Sequence, residues 1–394
     1  MKRIITPILI VMVLFLTSVP AFSDQNPKGD EFVIAEGKIN QFNPTIWGKK
    51  VCWFQNRVGY LWGYSLMLKD LNTGVTSTIS KSENLLPFTN DTNRLSLNDK
   101  YCWWTAYNVN DFSKYRVIVY DINQKKETVF GNDSSQMANP AMSGDDLIYT
   151  RKTLTTVPSF EIWTKNMNSK KLPKMIHKYD LKAGNYSFPT VDNGYAAWVD
   201  QGDIFLYDIG KDSTKRITQT SEPEYYPVIQ NGIIYFNRLS YLNGKLVYTI
   251  NAYHIKEGVF FKVNVKEGFH WQRPSFNPNA DNFIFTQQYT DSSGTNIFSL
   301  CLYDPKNDMV KEIQRFPTFP IINSQCSAKN YVVWIDNSSG NYQLKCYNYK
   351  TNETFTITNS AYAQTLPKID GNTVVWIDTR NTNQDVYGFN IKER

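Results

Sequence analysis

The sequence predicts an all-β chain folded as a single β-propeller of four-stranded antiparallel blades, eight by the best count and seven by the alternative. Three observations carry that reading: a unit that recurs along the chain, the β-branched and aromatic character of its apolar runs, and complementary loose strands at the two ends. The composition agrees. Of 394 residues 41% are hydrophobic and 15% aromatic, enough for a large core, while 20% charged residues are too few for a disordered or coiled-coil chain. Lys+Arg 42 against Asp+Glu 36 leaves +6 with no basic stripe, which argues against a nucleic-acid partner.

The chain opens outside the fold. Lys2 and Arg3 precede an apolar run from Ile4 to Leu16, and Ala21, Phe22 and Ser23 stand before Asp24. This is the pattern of a secretory signal cut after Ser23. The run is shorter than the ~20 apolar residues a membrane anchor requires. The expected organisation is a signal peptide over 1–23, a short segment over 24–30 and the propeller over 31–394. With no transmembrane segment expected in the mature chain, the protein is placed in the periplasm or outside the cell, as a monomer. Five cysteines (Cys52, Cys102, Cys301, Cys326 and Cys346) are an odd number and lie among apolar neighbours. They are read as structural, unpaired thiols, and no Cys/His spacing suggests zinc.

Each repeat begins with a Pro, continues through an alternating stretch and a Gly/Asn/Asp turn into an apolar run, and ends in a second run near Tyr-Asp. Nine positions separate Pro189 from Trp198 and Pro367 from Trp376. The same frame pairs Pro44 with Trp53, Arg94 with Trp103, Pro140 with Tyr149, Pro227 with Phe236 and Gln325 with Trp334, while Pro274 reaches Phe285 with two extra residues. Successive anchors lie 38 to 51 residues apart, near the ~40–50 residues of a four-stranded blade.

Runs such as Tyr331–Ile335, Ile233–Phe236 and Arg116–Tyr120 are short, β-branched and bounded by turn residues, so they are strands and not helices. Their consecutive apolar residues require burial on both faces, the environment of a blade between two neighbours. Strand a starts at the Pro, strand b carries the Trp position, strand c ends at pairs such as Tyr207-Asp208, and strand d resembles Thr354–Thr358. The last unit stops after a strand c at Asp385–Phe389. Glu31–Glu36 is an orphan strand that can complete that blade, closing the ring without a free edge.

With these motifs in view, the repeat resembles the TolB-like propeller family. The marks are Trp376–Asn390 (WIDTRNTNQDVYGFN), weaker copies at Trp334 and Trp198, and Arg273–Asn279 (RPSFNPN) followed by Phe283–Phe285. The resemblance covers most of the mature chain and implies an envelope or secreted propeller. It says little about the ligand, because such propellers serve as docking platforms, surface proteins and occasionally glycan-active enzymes. The chain departs from the family's namesake in its blade count, eight against six, and in having only Asp24–Asp30 where that protein has an α/β domain.

Candidate binding residues gather in the loops before three strand a prolines: Tyr186, then Tyr225 and Tyr226, then His270, Trp271 and Arg273. Together they offer stacking faces, a titratable donor and a cation, suited to sugars, peptides or carboxylates. No catalytic residue, cofactor or metal is assigned: only three His occur, and no GxSxG, HExxH, P-loop or dinucleotide motif is present. His177 and His254 are read as structural and away from the mouth. Asp200, Asp336 and Asp378 are read as caps of the b–c turn, and Arg380 as solvated; calcium between Asp378 and Asp385 is the weaker alternative. The favoured function is a noncatalytic platform for an envelope protein or glycan, and the alternative a polysaccharide lyase or glycosidase working at the mouth.

Overall fold

The computed structural model describes residues 28–392 apart from 60–62, 84, 88–94, 133, 180–188, 243–244, 264–281, 317–325, 339 and 341. It shows an eight-bladed propeller. Strands a to d are, in blade 1, Gln41–Trp47, Lys50–Asn56, Tyr64–Asp70 and Thr76–Ser82; in blade 2, Leu85–Pro87 with Ser96–Leu97, then Tyr101–Asn108, Asp111–Asp121 and Lys126–Phe130. Blade 3 has Ser135–Ser143, Asp146–Thr153, Phe160–Asn166 and Lys174–Lys178; blade 4 has Thr190–Asp192, Tyr195–Asp200, Asp203–Asp208 and Ser213–Arg216; blade 5 has Glu224–Gln230, Ile233–Leu242, Lys245–His254 and Val259–Lys262. In blades 6 and 7 the described strands are b, c and d: Phe283–Thr290, Asn296–Asp304 and Met309–Phe316, then Tyr331–Asp336, Gln343–Asn348 and Glu353–Thr356. Blade 8 has Gln364–Asp370, Thr373–Asp378 and Asp385–Ile391, and its strand d is Gly29–Ala35 from the start of the chain, antiparallel to Asp385–Ile391. The orphan strand thus closes the ring as its sequence predicts.

The 38-residue fourth unit is a complete blade with short strands, and this excludes the seven-blade count. Among the described strands a, those of blades 8 and 1, 1 and 2, 3 and 4, and 4 and 5 touch one another and line the inner wall. Strand b alternates between the two interfaces of its blade: Trp53 packs with Val375 and Ile377 of blade 8, whereas Cys52 and Phe54 pack with Leu97 and Trp104 of blade 2. All eight interfaces hold buried apolar clusters of this kind. Trp53, Trp104, Trp198, Trp334 and Trp376 are wholly buried within them, where truncation of any one to Ala would cost about 3–5 kcal/mol.

One anchor needs correction. In blade 2 the residue facing the preceding blade is Trp104, not Trp103, which packs toward blade 3 with Tyr149. Strand pairing agrees: the residue three before the anchor lies opposite the last residue of strand c, as Lys50 does Asp70 and Tyr101 does Asp121. A one-residue slip exchanges the faces, and with two adjacent Trp and no Pro the sequence does not separate the choices.

The nine-residue spacing has a structural cause. In blades 1, 3, 5 and 8 strand a carries a bulge in which the Pro and the residue before it face one anchor: Asn43 and Pro44 opposite Trp53, Asn139 and Pro140 opposite Tyr149, Tyr226 and Pro227 opposite Phe236, Leu366 and Pro367 opposite Trp376. Pro has no N–H for the ladder, and a bulge is where none is needed. The preceding residue is driven into the left-handed region, φ 50, 53, 52 and 55° in the four blades. The Tyr-Asp signature has a cause as well. The hydroxyls of Tyr207, Tyr303 and Tyr347 donate to Asp212, Asp308 and Asn352, each a left-handed turn residue, while Asp208, Asp304 and Asn348 accept backbone N–H groups within the c–d turn.

Candidate functional site

The b–c and d–a connections share one face of the ring, and the candidate residues described by the structure lie there on blade 5. Tyr225 is half-buried and Tyr226 is 39% exposed, with ring centroids 6.1 Å apart and planes inclined by 41°. The bulge at Tyr226 and Pro227 separates these two side chains from the regular alternation of the strand. Tyr248, near the start of strand c, completes the group. Burial pushes the hydroxyls of Tyr225 and Tyr248 above the ordinary phenol value; Tyr226 adds to this for Tyr225, and both Tyr225 and Tyr226 add to it for Tyr248. At neutral pH those two phenols are therefore neutral, able to donate and to accept beside a stacking surface.

Strands b and c of blade 5 are 10 residues each, against 6 each in blades 4 and 7. Strand b begins, and strand c ends, in the common frame at the opposite end, so the extra length extends this face by about 13 Å at 3.3 Å per residue and carries Tyr241, 74% exposed, two residues along strand b from Leu239, the partner of Tyr248.

Beneath the tyrosines lies a charged network. Glu224, fully buried, accepts from Thr218 Oγ1 at 2.7 Å, Thr220 Oγ1 at 2.9 Å and Arg238 Nε at 3.1 Å. Asp203 accepts from the Thr220 N–H at 3.1 Å and pairs with Arg216. Burial raises the Glu224 carboxyl above its usual range, more than Thr218, Thr220 and Arg238 lower it. A raised carboxyl invites a reading as a general acid, but the repeat answers it. Glu224 occupies the position of Gln41 and Gln364, all three buried, opposite Arg238, Gln55 and Asp378 respectively. The Thr partner recurs too: Thr358 Oγ1 donates to Gln364 and accepts the Leu344 N–H, as Thr218 Oγ1 donates to Glu224 and accepts the Ile204 N–H. Glu224 is therefore a blade-seam contact with its polarity changed, and the tyrosines are what blade 5 adds.

The Asp positions after the anchors divide. Asp336 and Asp378 accept the N–H groups of Ser338 and Arg380, each at 2.9 Å, and cap the b–c turn as expected. Asp200 does not; its strand ends in a two-residue turn, and its Oδ2 lies 2.8 Å from His177 Nε2. His177 is thus carried to the b–c end of blade 3, not away from it, and is packed against Tyr179, Trp198 and Phe205. His254 lies at the opposite end, 3.6 Å from Glu257.

Arg380 is not simply solvated. It bridges Asp378 at 2.7 Å and Glu31 at 2.5 Å and stacks over Tyr387 at 4.3 Å, tying the closing strand to blade 8. Asp378 is thereby occupied by Arg380, Trp376 and Gln364, and among the described residues no group of three or more His, Cys, Asp or Glu is placed to hold a metal ion. Tyr186, His270, Trp271 and Arg273 lie outside the described residues. A shallow cavity between blades 8 and 1 is lined by Phe32, Lys49, Lys69, Leu71, Asn72 and Asn390, at the end away from the tyrosines; Lys69 donates there to the Ile34 carbonyl.

Sequence reasoning found Tyr225 and Tyr226 because they adjoin a strand a Pro. It missed Tyr248, which reaches them only through strand pairing, and Tyr241, which lies near the tip of the same hairpin.

No protein-family model matches the chain, and no curated protein matches it in sequence. Solved structures do match. An oligogalacturonate lyase from Vibrio parahaemolyticus superposes with a TM-score of 0.54 at 10% identity, over 94% of this chain and 96% of that one. The β-propeller domain of the Trilobed protease from Pyrococcus furiosus, described as having an open velcro topology, gives 0.50 at 10% over 92% and 96%. A prolyl endopeptidase gives 0.58 at 9% over 86% of this chain and 54% of its own, so this chain spans about half of that enzyme. The likeness is one of fold. It joins enzymes of unrelated chemistry, and at these identities it carries no residue role across.

Proposed function

We propose that this protein is an exported, TolB-like propeller that acts as a noncatalytic platform, binding an envelope protein or glycan at the blade 5 rim. The observation that carries the reading is the grouping of Tyr225, Tyr226 and Tyr248 beneath an extended hairpin, on the face where the b–c and d–a loops meet. Grouped tyrosine rings carrying hydroxyls that both donate and accept suit sugar rings and peptide groups. The acids described near them are committed: Glu224 to Thr218, Thr220 and Arg238, and Asp203 to Arg216 and Thr220. This supports binding over acid–base turnover. Export rests on the sequence of residues 1–23.

The test is a screen of the chain from residue 24 onward against glycan and envelope-peptide arrays, repeated with Tyr226→Ala and His270→Ala. The expected result is a set of hits lost in Tyr226→Ala without chemical change to the ligand. Cleavage of any hit would overturn the noncatalytic reading and turn attention to a lyase or glycosidase. Hits indifferent to both substitutions would move the site to another face.

A further inference from the structure

Cys52 and Cys102 lie on strands b of adjacent blades, one repeat apart, and point at each other across the blade 1–blade 2 interface. Both are fully buried, and their Sγ atoms are 3.1 Å apart. Of the five cysteines, all buried and all present as thiols, this is the pair whose sulfurs are described in mutual contact. Strand alternation makes the approach specific: Cys52 shares its face with Phe54, and Cys102 shares its face with Trp104, so the two sulfurs meet within one packed layer. Bringing them to the ~2.05 Å of a disulfide requires a closure of about 1 Å.

We infer that Cys52 and Cys102 form a disulfide joining blades 1 and 2 when the chain folds in the presence of a disulfide oxidant. The chemistry is thiol–disulfide exchange. The thiolate of one cysteine attacks an incoming disulfide such as oxidised glutathione, forming a mixed disulfide and releasing one glutathione thiolate. The second cysteine's thiolate then displaces the remaining glutathione. One S–S bond forms as one breaks, two electrons pass to glutathione, and the two cysteine protons end on the released thiolates.

Burial and the neighbouring Cys102 push the Cys52 thiol well above its ordinary value, and no part of either side chain is exposed. Exchange therefore belongs to the stage before blades 1 and 2 close on each other. Once made, the bond is shielded from small reductants and adds a covalent link to two blades otherwise joined by packing, by the chain itself and by hydrogen bonds such as Trp104 Nε1 to the Tyr64 hydroxyl at 2.9 Å. All five cysteines are present as thiols in the structure, as the sequence reading expects; the inference adds that an oxidant converts two of them.

The test uses the chain from residue 24 onward, unfolded with reductant and refolded in a buffer of reduced and oxidised glutathione. The refolded protein is denatured and treated with one thiol label, then reduced and treated with a second, heavier label. The expected result is the second label on Cys52 and Cys102 and the first on Cys301, Cys326 and Cys346, with intact mass lower by two hydrogen atoms before reduction. Reduction should lower Tm by several degrees, and this shift should be absent in Cys52→Ala and in Cys102→Ala. If either variant fails to fold, the labelling of the wild-type chain still decides. First label on all five cysteines, or second label on any other pair, overturns the inference.

Discussion

Arg380 provides a quantitative test of how the ring is closed. Its guanidinium reaches Asp378, whose side chain has no exposure, and Glu31 of the closing strand, which is 34% exposed. Replacing Arg380 with Met keeps most of the stem over Tyr387 but leaves the Asp378 carboxylate buried without its cation. Removing one partner of a buried pair costs about 3–5 kcal/mol. The lower end applies, about 3 kcal/mol, because Trp376 Nε1 at 3.2 Å, Gln364 Nε2 at 3.4 Å and the backbone N–H of residue 380 at 2.9 Å still face the carboxylate. Glu31→Gln, by contrast, should cost under about 1 kcal/mol, as expected for a partly solvated pair.

The pH dependence follows from the same geometry. Burial alone would raise the Asp378 carboxyl, but the Arg380 side chain, its N–H and Trp376 outweigh burial and hold it below the usual carboxylate range. A carboxyl depressed in the fold contributes stability above its unfolded value of about 3.9, and that contribution is lost as pH falls through the folded value. The gap between wild type and Arg380→Met should therefore be widest at neutral pH and narrow in acid. Equilibrium urea unfolding at neutral pH and at successive points below pH 4 measures both quantities. A variant within about 0.5 kcal/mol of wild type, or a loss independent of pH, would refute the proposed role of this pair, since 0.5 kcal/mol is what an ordinary surface substitution costs.

Three further outcomes are expected. Glu224→Gln restores the residue type found at the equivalent positions 41 and 364, and because the Glu224 carboxyl is raised in the fold, its charged form opposes folding at neutral pH; urea unfolding should show a change within about 1 kcal/mol, with wild type gaining on the variant as pH falls. His177→Ala leaves the buried Asp200 carboxylate without its imidazole partner, and should lower stability by about 3 kcal/mol in the same assay. Tyr226→Gly places glycine at φ 52°, where it relieves up to about 1 kcal/mol of backbone strain; Tm should hold or rise while binding at the rim is lost, which separates the tyrosine's contact role from any role in folding.

The blade architecture was legible because each device is local. A Pro in the strand a bulge, a two-residue a–b turn and a buried anchor on strand b fix a nine-residue interval, and the Tyr-Asp pair closes the c–d turn within five residues. Where a local device was missing the reading slipped, as at Trp103 and Trp104. Contacts between distant segments were beyond a single sequence: Arg380 meets Glu31 across 349 positions, and the kinship of Glu224 with Gln41 and Gln364 appears only when strands are aligned by register. The site was half legible for the same reason. Tyr225 and Tyr226 adjoin a recognisable Pro, whereas Tyr248 joins them through the pairing of strands b and c.

The most direct test of the account is a hydrogen-exchange footprint of the strongest array hit bound to the chain from residue 24 onward. Binding at the blade 5 rim predicts slowed amide exchange at the start of Glu224–Gln230 and in the outer halves of Ile233–Leu242 and Lys245–His254, and no such protection in Tyr226→Ala. Protection confined to the a–b and c–d turn face, or to the outer strands d, would contradict it.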